Sequence, residues 1–333
     1  MSQYAFTSPQ STERRDLYLS IQYLRALAAI MVVFGHAAQP SFRSMLFAGV
    51  DLFFVISGFV MVMSGAHRKP LDFLWKRAAR VMPMWWFVLC VAFALGIVID
   101  DAFLASAFLI PTFFMNGYIA GVSWEVGWTL VLEAVFYLYF ALALQARRAW
   151  LVFAIIPAAM LLNPLASHSP ILHALTHPML TEFLFGAAIA YGIRGGRRLS
   201  PWLVLVGIVL YLAGRDLGAP RALATGIPAA LIFAGLVQLR PPQWRLPHFL
   251  GDASYSIYLF HYVALYVAWR VIEPTSWWFA TALAGISLGC AAHLLVERHI
   301  LALTNPRHVS RQQELARRRP RLCTDGAEAP AAG

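Results

Sequence analysis

Long apolar runs alternate with short polar turns along almost the whole chain. Ten runs can be read, at about 19–38, 47–65, 81–99, 126–145, 149–163, 179–194, 201–214, 221–239, 252–272 and 277–297. A helix crossing a bilayer needs about 20 mostly apolar residues, because each adds about 1.5 Å against a hydrocarbon core about 30 Å thick. Several runs are shorter than this, and 201–214 is marginal. The pattern predicts an all-α integral membrane protein of about ten transmembrane helices. One further apolar stretch, 100–123, is interrupted by Pro111 and by Asn116–Gly117. It reads as an outer re-entrant or interfacial segment placed to cap a cavity, because an eleventh span would invert every later loop.

The basic residues give this pattern a direction. With the N-terminus inside, the inner loops and tails hold all but five of the 26 lysines and arginines; Arg43, Arg215, Arg221 and Arg270 fall outside and Arg25 within the first run. The positive-inside rule then predicts that both termini are cytoplasmic. The same distribution accounts for the net charge of +10 without nucleic acid. Composition agrees: 60% of residues are hydrophobic and 13% charged, with a mean hydropathy of +0.64, against about 25% charged in soluble domains. Residues 1–18 are polar and have no cleavable signal pattern, so they read as a cytoplasmic tail and the first helix as its own insertion signal. Residues 19–300 form the membrane domain. Residues 301–333 read as a disordered cytoplasmic tail whose basic part lies on anionic lipid. Cys90, Cys290 and Cys323 are scattered and imply neither a disulfide frame nor a metal site.

Charged side chains inside apolar runs are costly, about 2.5–3.5 kcal/mol for a mid-span arginine on insertion scales, so they are the candidates for chemistry. Arg25 and His36 lie eleven residues apart in the first run. That is about three helical turns, which puts both on nearly one face, about 16 Å apart along the axis. Asp51 lies near the outer end of the second run, where a helix dipole also favours an acid. Glu133 is roughly 10 Å below the outer end of the fourth and needs a cation, a proton or water there; Arg25 and His36 are its expected partners. Glu182 opens the sixth run. His261 sits about midway along 252–272, with a functional role and a bond to a neighbouring helix both open. On the inner side, Arg77 and Arg80 share a helix face at i, i+3, and two guanidiniums side by side suit a diphosphate. The outer loop 164–178 carries His168, His173 and His177 without a carboxylate or regular spacing, so no metal is expected. No P-loop, GxGxxG, HExxH or nucleophile-elbow motif is present.

Four blocks taken together resemble the acyltransferase-3 family of membrane acyltransferases, most closely its members that modify exopolysaccharides. They are Arg25-Ala-Leu-Ala through His36, GVDLFFVISGF at 49–59, KRAARVMP at 76–83 and WTLVLEAVFY at 128–137. SYSIYLFH at 254–261 agrees, and the VERHI stretch at Glu297 looks like the family's closing motif without its usual proline. The resemblance runs from about residue 19 to 300 and implies ten spans. It also implies transfer of an acyl group, expected to be acetyl, from cytoplasmic acyl-CoA to a hydroxyl of a polysaccharide or lipid-linked sugar at the outer face of a bacterial inner membrane. His36 is then the expected general base, since an imidazole titrates near operating pH, and Asp51 or Glu133 would orient it. Arg77 and Arg80, helped by Arg25, would bind the CoA phosphates. The rival reading is a transporter or flippase of an anionic or lipid-linked substrate, which also needs intramembrane charge. Neither an inverted repeat nor paired broken helices are evident.

Overall fold

The computed structural model describes residues 11–38, 46, 48–97, 103–110, 113–115, 119–121, 124–214, 220–271 and 277–304. Each of the ten apolar runs lies on a helix. In chain order these and the connecting elements are α1 (Ser11–Ala37), α2 (Ala48–Gly65), α3 (Pro70–Ala94), the short α4 (Phe103–Ala107), a hairpin of β1 (Phe113–Met115) and β2 (Ile119–Gly121), and α5 (Gly127–Gln145). Then come α6 (Val152–Met160), the short α7 (Pro170–Leu175), α8 (Leu180–Arg194), α9 (Leu203–Gly214), and a π-turn (Ala222–Gly226) leading into α10 (Ile227–Val237). The amphipathic α11 (Arg245–Asp252) precedes α12 (Ser254–Val271), and α13 (Trp278–Ala292) runs through a second π-turn (His293–Glu297) into α14 (Arg298–Thr304). Five of the described helical segments are long and apolar enough to cross a membrane: Asp16–Ala37, Ala48–Gly65, Pro70–Ala94, Gly127–Gln145 and Trp278–Leu303.

The described fold is helical, as expected, with one short antiparallel hairpin added, in which Phe113 pairs with Gly121 and Met115 with Ile119. The hairpin and α4 occupy the 100–123 stretch, so its described parts form no continuous helix; Pro111 and Asn116–Gly117 lie outside the described residues. The first helix also begins at Ser11, well before the apolar run, so part of the expected N-terminal tail is helical. The tail beyond Thr304 lies outside the described residues.

The helices pack through small residues and aromatic rings. α2 crosses α8 so closely that a Cβ on Gly58 would stand 1.9 Å from the Phe183 carbonyl oxygen, and one on Gly186 would stand 1.9 Å from that of Val55. Only glycine allows this backbone contact, the small-residue mode by which membrane helices gain packing without a hydrophobic driving force. Around it, Phe183 stacks between Phe54 and Phe136 with 4.5 Å between centroids on each side. Trp85 and Trp86 of α3 donate their indole N–H groups to the carbonyls of Ser106 and Ala107, both at 2.8 Å, which pins the α4 region to α3. Leu205, Val209, Leu210 and Leu212 of α9 are exposed, the apolar outer surface that a bilayer would cover. Replacing Gly58 by Ala forces backbones apart and is expected to destabilise by about 1–3 kcal/mol. A lowered unfolding midpoint in detergent would register this; an unchanged midpoint would show that α2 and α8 are not locked here.

Candidate active site

Two parallel helices build the site. α1 presents Arg25 and, three turns on, His36; α12 presents Ser254, Tyr255, Tyr258 and His261. Arg25 Nε donates to Ser254 Oγ at 3.2 Å, and higher up the two histidine rings meet with centroids 5.1 Å apart. The contacts advance in the same direction along both helices, so the two run side by side in one sense. Side chains on a helix lean toward its N-terminus, and His36 does so: its Nδ1 lies 3.0 Å from the Val32 carbonyl one turn back.

The histidine pair has a readable tautomer. His261 is fully buried, and its Nδ1 lies 2.7 Å from the Tyr258 carbonyl and 3.2 Å from that of Ile257. A carbonyl only accepts, so Nδ1 carries the proton and, in the neutral ring, Nε2 is an acceptor. That Nε2 lies 3.3 Å from His36 Nδ1, which must therefore be the protonated nitrogen of His36, shared with the Val32 carbonyl. The basic lone pair of neutral His36 is thus on Nε2. This assignment follows from the hydrogen-bond network.

Below the pair lies a partly open cavity of about 120 Å³ between α1, α2, α3, α5 and α12. Its polar wall includes Arg25, Arg77, Arg80, Ser57, Glu133 and Tyr137, and Tyr258 lines it as well, its ring 6.0 Å from that of His261 and tilted 53° to it. Arg77 packs 5.7 Å over the Phe73 ring and donates from Nη2 to Ser64 Oγ at 3.3 Å, while its buried Nε has no hydrogen-bond partner. Tyr258 donates to the Val126 carbonyl at 2.9 Å and sits 2.6 Å from Thr129 Oγ1. Three guanidiniums around one space with an unpartnered N–H suit a multiply charged anion, which a guanidinium binds by charge-assisted, often bidentate hydrogen bonds.

The structure brings together Arg25, Arg77, Arg80 and Glu133, as their placement in the sequence allows, but it redistributes the carboxylates. Glu133 was expected on Arg25 or His36. Instead its Oε1 accepts from Ser57 Oγ at 2.8 Å and from Tyr137 OH, one turn along its own helix, at 2.5 Å. Asp51 was the other candidate to orient His36. It is fully buried against Arg221 Nη2 at 2.9 Å and Thr225 Oγ1 at 2.6 Å, beside Glu182, and it is not part of the cavity wall. His261, which sequence reasoning left undecided, is seated on a ring nitrogen of His36. Ser57, Tyr137, Ser254 and Tyr258 went unnoticed, since hydroxyl residues are ordinary in apolar helices; of the four, Tyr137 alone carried a spacing signal, at i+4 from Glu133. Among the described residues no group of three His, Cys, Asp or Glu side chains is arranged to hold a metal ion.

A family model described as "Acyltransferase domain", that of acyltransferase-3, matches residues 18–296. The chain belongs to the acyltransferase-3 family. Among curated proteins, this family member is 32% identical over 301 residues to "Exopolysaccharide production protein ExoZ" of Rhizobium meliloti (strain 1021), covering 79% of this chain and 92% of that protein. It is 24% identical over 339 residues to "Nodulation protein 10" of Rhizobium leguminosarum bv. viciae, covering 84% and 92%. It is also 24% identical over 310 residues to "Acyltransferase MdmB" of Streptomyces mycarofaciens, covering 76% and 80%. No solved structure matches. The matched region of the acyltransferase contains both histidines and all three cavity arginines.

Proposed function

We propose that this membrane acyltransferase moves an acetyl group from cytoplasmic acetyl-CoA to a hydroxyl of a polysaccharide or lipid-linked sugar, across about ten spans of a bacterial inner membrane with both termini inside. The observation that carries the reading is one cavity lined by Arg25, Arg77, Arg80 and Tyr258, the last a ring neighbour of His261 in the His36–His261 pair. In this reading Arg77 and Arg80 hold the donor's phosphates, with Arg25 deeper in. His36 Nε2 takes the proton from the acceptor hydroxyl as its oxygen attacks the thioester carbonyl. The carbon–sulfur bond then breaks, and the thiolate of CoA leaves and takes up a proton. His261 holds His36 in the tautomer that leaves Nε2 basic, the service a third group performs for a catalytic histidine elsewhere. The exopolysaccharide in the name of the Rhizobium meliloti relative, and the loop-charge asymmetry, support the acceptor class and the orientation.

The test is purified full-length protein with radiolabelled acetyl-CoA and candidate acceptor glycans. Label appearing in the glycan with matching release of free CoA is the expected result. Movement of a lipid-linked sugar between leaflets without release of CoA would favour a flippase instead.

A further inference from the structure

Two of the cavity arginines have a buried carboxylate within electrostatic reach. Glu297 closes the π-turn that follows α13, and π-turns inside helices are concentrated at functional sites. Its side chain is 1% exposed. Oε2 accepts from Ser256 Oγ on α12 and from His293 Nδ1, each at 2.7 Å. Oε1 is buried and has no hydrogen-bond partner. A buried carboxylate costs several kcal/mol unless a cation balances it, and a serine hydroxyl supplies no charge. The cations within electrostatic reach of Glu297 include Arg80 and Arg25. Both arginines line the cavity. Among the described residues no hydrogen bond restrains the Arg80 guanidinium, whereas Arg25 is held by Ser254 and Arg77 by Ser64.

We infer that Glu297 is a positioning residue for the donor site: fixed by Ser256 and His293, it anchors Arg80, and to a lesser degree Arg25, in the cavity wall by charge attraction. The inference rests on the donor-site reading of the arginines. It assigns the Ser256–Glu297–His293 link a second task besides joining α12 to the end of α13. Two adjacent guanidiniums repel each other when no phosphate is present, and a fixed anion that attracts one of them keeps the pair ready for a diphosphate without rearrangement.

The experiment is calorimetric titration of the detergent-purified full chain with CoA itself, which needs no acceptor. Glu297→Gln keeps shape and the Ser256 bond but removes the charge, and is expected to weaken CoA binding about tenfold. Arg80→Ala should weaken it at least as much. If Glu297 acts through Arg80, the double variant should bind no more than about twofold weaker than Arg80→Ala alone, because the two losses are one interaction. Wild-type or tighter binding by Glu297→Gln, or losses that multiply in the double variant, would overturn the assignment. If Glu297→Gln does not fold, Ser256→Ala takes its place: freeing the carboxylate from α12 should weaken CoA several-fold, and unchanged affinity there would overturn the assignment too. Unchanged affinity in Arg80→Ala would bring down the donor-site reading together with this one. A weakened Arg80→Ala beside a normal Glu297→Gln would remove only the role of Glu297.

Discussion

His36→Ala is expected to insert and fold normally yet lose roughly 100-fold or more in transfer rate, the usual scale for general acid–base catalysis. An alcohol is a poor nucleophile at neutral pH, so its proton has to leave as the acyl carbon is attacked. His36 stands three helical turns beyond the cavity-lining Arg25, with its basic nitrogen set by His261, whose Nε2 is 3.3 Å from His36 Nδ1. His36→Gln should fare little better, because an amide keeps hydrogen bonding but cannot take a proton. His261→Ala removes the acceptor that fixes the tautomer and should cost about tenfold, the lower range for a group that orients a working histidine. The base must be neutral to act, so the wild-type rate should fall as pH drops through the His36 titration and level off above it. The measurement is initial rate against pH for wild type and both His36 variants, with folding checked by size exclusion. A His36→Gln enzyme working at near wild-type rate would falsify the assignment and move the search for the base to Glu133, Asp51 or His261.

Removing Arg77 and Arg80 together is expected to abolish measurable donor use while leaving membrane insertion intact. Charge-assisted hydrogen bonds are each worth about 1.5–3 kcal/mol, so one Ala substitution should cost about 10- to 100-fold in donor affinity and the pair considerably more. Lysine should restore only part of the loss, since an ammonium lacks the planar fork that meets two phosphate oxygens at once. Arg77 is the more telling single variant. Its ring contact with Phe73 and its bond to Ser64 hold it in place, so Lys there loses packing as well as the fork. CoA titration of Arg77→Ala, Arg80→Ala and the double variant, compared with their expression levels, separates donor binding from topology. If the double variant bound CoA as wild type does, the pair would serve only to anchor the inner end of α3.

The sequence alone was enough to determine whatever depends on neighbours along one helix. Apolar run length determined where the long helices lie, because a helix of about 20 apolar residues satisfies its own backbone in lipid whatever packs beside it. The spacing of Arg25 and His36 put them on one face of α1, and that of Arg77 and Arg80 put them on one face of α3, because 3.6 residues per turn holds for any α-helix. The motifs around these four residues were enough to recognise the family. Tertiary structure decided the rest, since it depends on which helix face meets which. His36 and His261 are 225 residues apart, and no periodicity within either helix records that they touch. Glu133 and Asp51 both stood as acids able to orient His36. Packing gave one to Ser57 and Tyr137 in the cavity and the other to Arg221 and Thr225 outside it. The close approach of Gly58 and Gly186 shows what sets these pairings: shape fit between backbones, where small residues allow contact. The hairpin at 113–121 was hidden for a related reason, since a short apolar segment reads alike as span, loop or strand until neighbours supply its hydrogen bonds.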